Sequence, residues 1–283
     1  MLRNFSIILF FISVSANATV ILDTLYINSG SLTVVDYTLQ TCVFNDSATF
    51  NKQNRVFQLN SGDELLLHII NNDAVEHTFT IDGLIESGNV IPAGGSDDFF
   101  LNFPADGIYR FYSDRPGGKL LGASSMILVG YENYARYYWN MFEQQDTLTD
   151  KIDAGIETTI PLNYMPDIFT VNMKVSSELD SDTLSYIQQM VGDTIVIAVL
   201  NSGNMHHNLH FHGYHLTVLS AEKNTHMINW SKDSFPVVKD EVMLLLLVPD
   251  QPGMYMMHNH NMITITTNGV YPGGMMSMIE IMP

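Results

Sequence analysis

Short apolar runs separated by polar punctuation fill most of this chain. Leu65–Ile70, Ile195–Leu200 and Val242–Val248 are typical: Val, Ile, Leu, Phe and Tyr gather in stretches bounded by Gly, Asn, Asp and Pro. Runs of this length with such borders predict β-strands, and no regular alternation with long amphipathic helices accompanies them. The pattern predicts an all-β sandwich or barrel and not βα units. Tyr134–Phe142 is left open between a strand and a short aromatic helix. The N-terminus differs: Arg3 precedes the apolar stretch Ile7–Val14, which ends in Ala16-Asn17-Ala18. That is the form of a signal peptide cleaved after Ala18, the apolar run falling well short of the roughly 20 residues that span a bilayer. The mature protein is expected to be soluble and exported, to a periplasm or to the medium.

The chain also repeats itself. Gly62-Asp63-Glu64-Leu65-Leu66-Leu67 lies over Gly192-Asp193-Thr194-Ile195-Val196-Ile197 at an offset of 130, and the offset persists through Asn71 and Asn201 to His77 and His207. Glu76–Gly83 then lies over His206–Gly213 without a gap. A second block, Gly107–Asp114, recurs as Gly253–His260 at an offset of 146. Two copies of one domain follow, with the boundary placed near residue 131: a leader over 1–18, a first domain over 19–131 and a second over 132–283. A period above 100 residues suits a whole Greek-key domain.

Charge narrows the partners. Without the leader, 30 acidic side chains face 11 basic ones (12 less Arg3), a formal charge of −19. Nucleic acid and anionic membrane surfaces are therefore poor partners, and neither is expected. Cys42 is the sole cysteine, so no internal disulfide forms, and it reads as a small buried apolar residue.

Candidate chemistry is confined to the second copy. Seven of ten histidines fall in two windows, His206, His207, His210, His212 and His215, then His258 and His260. Alternate residues of a strand share a face, so His210 and His212 project together, as do His258 and His260, with Cα atoms roughly 6.5 Å apart in each pair. Two such pairs, in windows that the repeat marks as structurally equivalent, predict four converging imidazoles and a metal site. Imidazole suits Cu, Zn, Ni and Fe, and copper binds tightest of the divalent ions. Met254, Met256, Met257, Met262, Met275, Met276 and Met278 crowd the second window; they read as flexible core filler, with Cu(I) ligation by thioether as the alternative. His68 reads as a hydrogen-bonded core histidine, His226 as a loop residue, and Trp139 and Trp230 as aromatic packing.

His206–Gly213 (HHNLHFHG) resembles the HPFHLHG motif of the multicopper oxidase family. Lys239–Asn261 is similar to that family's closing segment, which leads through a turn into a His-Cys-His strand, and Pro166–Asn201 resembles a further stretch. The resemblance implies two cupredoxin-like Greek-key domains. By position His210, His212, His258 and His260 match ligands of the family's trinuclear copper cluster, and His207 matches a ligand of its type 1 blue site. Asn259 stands where the type 1 cysteine is expected, Thr264 where a later histidine is expected, and Met275 or Met276 at the axial position. The two HxH pairs of the family's first domain correspond to Thr80 and Asp82, and to Tyr112 and Asp114.

A blue site needs the thiolate, so the expectation is an exported copper-binding protein with a non-blue histidine site and no type 1 copper, zinc being the alternative ion. Two other readings stay open: a metal-free cupredoxin scaffold, and an oxidoreductase completed by another protein. The resemblance further implies a homotrimer, with Thr80, Asp82, Tyr112 and Asp114 of a neighbouring subunit standing opposite the four histidines.

Overall fold

The computed structural model describes residues 19–34 and 36–283; the signal-peptide reading concerns residues outside these. In the first half, a sheet in the order Tyr37–Asn45, Val20–Val34, Glu64–Asn71, Ser96–Asn102 packs on a second in the order Phe57–Leu59, Ser124–Val129, Gly107–Tyr112, Thr80–Ile81. Glu64–Asn71 illustrates why: Leu65, Leu67 and Ile69 are fully buried while Leu66 and His68 face outward. Inside, the edge of Phe111 meets Phe44 with ring centroids 5.2 Å apart. Such contacts add to the burial that drives the sheets together.

The second half repeats the plan with a six-stranded sheet over a five-stranded one. The larger contains Ala135–Gln144, Ile195–Asn201 and Val242–Leu247; the smaller contains Met276–Met282, Gly253–Asn259 and His207–Phe211. The architecture is all-β, as expected, and among the described residues the longest α-helix is Asp146–Asp153. No helix among them is long and apolar enough to cross a membrane. Tyr134–Phe142, left open by the sequence, lies largely in the strand Ala135–Gln144.

Ile195–Asn201 and Val242–Leu247 carry apolar residues at every position but Asn201 because both of their faces are covered. Ile195, Ile197 and Val199 point into the second core; Val196, Ala198 and Leu200 join Val242 and Leu244 against Met126 and Leu128 of the first half. The two halves thus share a continuous apolar layer. Trp139 lies at the centre of the second core, fully buried, its indole N–H donating to the Ser185 carbonyl at 3.3 Å. Trp139→Ala is expected to lower unfolding free energy by about 3–5 kcal/mol, read as a fall in the urea midpoint.

The repeat is reproduced atom by atom at its anchor. Ile27 pairs with Asn71, and Met141 with Asn201, in parallel strand pairs. Each asparagine amide then donates to a carbonyl four residues on, Asn71 to Val75 and Asn201 to Met205, both at 2.8 Å.

Three side-chain expectations need correction. His68 is hydrogen-bonded, to Asp98 at 2.7 Å, but its side chain is 43% exposed on the outer sheet face and so is not a core residue. Trp230 is not core packing either: it is 44% exposed, lying under the Lys232 ammonium and against the His226 ring. Of the methionines near the second histidine window, Met257 and Met275 are core filler; Met254 and Met262 are exposed.

Candidate metal centre

His207–Phe211 and Gly253–Asn259 are antiparallel neighbours, with Leu209 opposite Asn259, His210 opposite His258 and Phe211 opposite Met257. Alternation then sorts the side chains. Leu209, Phe211, Met257 and Asn259 point into the core, and His210 and His258 meet on the other face. His212 follows the strand end, held by its amide on the Met256 carbonyl at 2.9 Å.

The His210 ring meets those of His212 and His258 edge to face, with centroids 4.8 Å and 5.6 Å apart, and the His212 and His258 rings are tilted to each other at 5.2 Å. One nitrogen from each of His210, His212 and His258 can be chosen so that all three lie within 4.8 Å of one another. His260 departs from the expectation of four equivalent histidines. Its ring is 5.2 Å from that of His210 and stacks at 6.0 Å on that of His258, but it does not enter the convergent set. The strand stops at Asn259, and the amide of His260 turns to the Asn208 carbonyl, so alternation no longer fixes its direction.

Outer contacts choose which nitrogens are free. His258 Nδ1–H donates to the Asn259 carbonyl at 2.9 Å, and His210 Nδ1–H is directed at the Asp233 carbonyl at 3.0 Å and the Ser234 hydroxyl at 2.8 Å. Both Nε2 atoms are left as lone pairs, the form a metal takes. His212 Nε2 lies 3.0 Å from His258 Nε2, a distance that requires one proton between them or a cation in its place. Burial first, and then the charges of His212, His210 and His260, hold the His258 imidazole below the ordinary histidine range; its bond to the Asn259 carbonyl opposes this. His206 and His215 are exposed on either side and take no part.

His207, grouped with these residues by sequence, is on the opposite side of the sheet. Its side chain is fully buried, with Nε2 3.0 Å from Glu143 Oε2 and Nδ1 2.6 Å from the Asn259 amide nitrogen. The Asn259 amide also reaches Met275 Sδ at 3.6 Å, and Thr264 is buried nearby in the chain, its hydroxyl donating to the Asn261 carbonyl. Met275, and not Met276, therefore occupies the position beside Asn259. Glu143 escaped the sequence reading. Its one signal was Gly203, where a Cβ would fall 1.9 Å from Glu143 Oε2.

In the first half the equivalent strands bring Thr80 opposite Tyr112, the same register that joins His210 to His258. No imidazole stands there. Asp82 instead accepts from Arg110 at 2.6 Å and from the Tyr112 hydroxyl at 2.9 Å, and Asp114 accepts from the Thr78 hydroxyl at 2.7 Å. Burial, then the bond to Asp82, push the Tyr112 phenol up to about 12, so it stays a donor.

Fold and site together define a two-domain protein of the cupredoxin-like class. Residues 158–276, within the second half, match the family model for multicopper oxidase. Among solved structures, the chain is similar to the multicopper oxidase mgLAC with a TM-score of 0.76 and 19% identity, over 94% of this chain and 88% of that one. It is similar also to a blue copper oxidase from Nitrosomonas europaea (0.74, 19%, 92% and 85%) and to a copper nitrite reductase from the same organism (0.69, 14%, 93% and 94%). No curated protein matches by sequence.

Proposed function

We propose that this chain is an exported copper-binding protein whose ion is held by His210, His212 and His258. The convergence of one nitrogen from each within 4.8 Å carries the reading. Three imidazoles, two of them with Nδ1 tied to a backbone carbonyl, are a fitting donor set for copper, and zinc is the alternative occupant. His260, adjacent and exposed, is placed to enter by rotation of its ring. Copper bound there supplies a redox-active centre open to solvent. The protein's own residues orient the free nitrogens toward it, and burial favours the unprotonated form of His258.

The amide of Asn259 offers no thiolate, which supports a function without blue copper and without electron delivery through it. Export rests on the apolar leader Ile7–Val14 with its Ala16-Asn17-Ala18 end. In a homotrimer the histidine face meets Thr80, Asp82, Tyr112 and Asp114 of a neighbouring subunit. Asp82 is already engaged by Arg110 and Tyr112 of its own chain, so the histidines, and not the acids, supply the ligands.

Metal analysis with electron paramagnetic resonance tests the reading. Protein exposed to copper and desalted is expected to retain it stoichiometrically, with an imidazole-ligated spectrum and no intense blue colour. Protein that stays copper-free after this treatment overturns the proposal.

A further inference from the structure

A second set of donors converges inside the first domain. Ligand atoms of Cys42, Asp73 and His77 all lie within 4.8 Å of one another. Cys42 Sγ is 3.8 Å from His77 Nε2, and Asp73 Oδ2 is 2.7 Å from the same nitrogen. A nucleophilic relay of Cys, His and Asp would put thiol and carboxylate on opposite ring nitrogens. Here both meet one nitrogen, so the arrangement is not a triad. Burial also pushes the Cys42 thiol up, away from an activated nucleophile. The other ring nitrogen, Nδ1, is 3.1 Å from the Ser113 hydroxyl, which can accept its proton and leave Nε2 as a lone pair.

The internal repeat supplies a comparison. His77 and His207 are equivalent, as are Ser113 and Asn259, at the offsets of 130 and 146. Counting two residues beyond the anchor pairs Ile27 with Asn71 and Met141 with Asn201 makes Ser29 equivalent to Glu143, and Asp73 equivalent to Gly203. Each domain thus buries a histidine whose Nε2 meets a carboxylate, delivered from opposite partners: Asp73 beside Ser29 in one, Glu143 beside Gly203 in the other. The cross-strand neighbour then differs. Ser29 faces Cys42, whereas Glu143 faces Phe169, so only the first domain adds a thiol.

We infer that Cys42, Asp73 and His77 form a binding site for one thiophilic divalent cation of the Zn2+ type, buried in the first domain. A thiolate, a carboxylate and a neutral imidazole carry two negative charges, which a divalent ion cancels; a neutral complex is the form that burial tolerates. Tetrahedral zinc with Zn–S about 2.3 Å and Zn–N about 2.0 Å places sulfur and nitrogen roughly 3.6 Å apart, close to the 3.8 Å present. The carboxylate has to retreat by about half an ångström. The Ser29 hydroxyl, which donates to Asp73 Oδ2 at 2.5 Å, is a further oxygen beside the three donors. A cavity lined by Ser29, Gln40, Asp73, Gly117 and Asp153 adjoins the site and offers both an approach and a water ligand. On binding, one net proton leaves, from Sγ; the ring stays neutral, its proton passing from Nε2 to Nδ1, where the Ser113 hydroxyl accepts it.

Co2+ is the probe, because thiolate ligation gives it an intense near-ultraviolet charge-transfer band that imidazole ligation does not. Cys42 is the chain's only cysteine, so any such band reports this site and not the histidine face. The protein is to be examined both after incubation with Co2+ and after refolding in its presence. One equivalent of band, displaced by Zn2+, absent from Cys42→Ala and at least tenfold weaker in Co2+ affinity in Asp73→Asn, is expected. No band in either preparation of the unsubstituted protein overturns the inference, even should a variant fail to fold. Copper binding at His210, His212 and His258 is read separately, so failure of one site does not imply failure of the other.

Discussion

Replacing His210 and His258 together with alanine is expected to weaken copper binding by more than about a hundredfold while leaving the fold intact. Loss of only an outer partner of a metal-bound histidine costs about 10–100-fold in affinity, and this pair removes two of the three convergent donors. His210 is half-buried, and His258 lies against the rings of His210, His212 and His260 on the face away from the core, so little core packing is lost. His260→Ala is expected to cost less than either single change, since its ring stands outside the convergent set. Calorimetric copper titration, with a thermal melt as the control for folding, measures all of these. Unchanged affinity in the double variant would remove the site from this face altogether.

The second large effect concerns the inner side of the same strands. Asn259→Cys combined with Thr264→His is expected to give a protein that turns intensely coloured with Cu2+, where the unsubstituted chain does not. The carboxylate of Glu143 can only accept, so His207 Nε2 carries the proton and Nδ1 presents a lone pair toward Asn259. That is the carboxylate–histidine arrangement that metal sites use to orient a ligand. A cysteine sulfur would stand where the Asn259 Cγ is now, about 1.3 Å short of the amide nitrogen, and the vacated space lies between His207 Nδ1 and Met275 Sδ. Thiolate–copper charge transfer in the visible spectrum is the readout. A double variant that folds and binds copper without that band would mean that the pocket cannot accept the ion.

Much of this arrangement was legible beforehand because strands impose a period of two and the repeat fixes equivalence. Those two rules placed His210 against His258 and put Asn259 inward. They fail where the strand ends: His260 lies one residue past Asn259, and the chain there turns into the short helix Met262–Ile265 capped by Asn261. His68 misled for a related reason. Its neighbour Leu66 is a large apolar residue left 37% exposed, so an outward face read as an inward one. Cys42 was correctly read as buried, yet what surrounds it comes from 31 and 35 residues away in Asp73 and His77, and local pattern carries no trace of that. Glu143 was hidden likewise, its partner His207 being 64 residues distant.

Because His210 and His258 occupy one side of a two-strand ribbon and His207 and Asn259 the other, both sets are written in a single reading frame. A slip of one residue in Gly253–Asn259 would carry Met257 outward and His258 inward, exchanging solvent and core on every side chain of the strand. The outer cluster and the inner pocket would be lost together by any odd-numbered insertion or deletion that the preceding turn failed to absorb. Change in this segment that keeps both sets is thereby confined to exchanges of side chain at constant length.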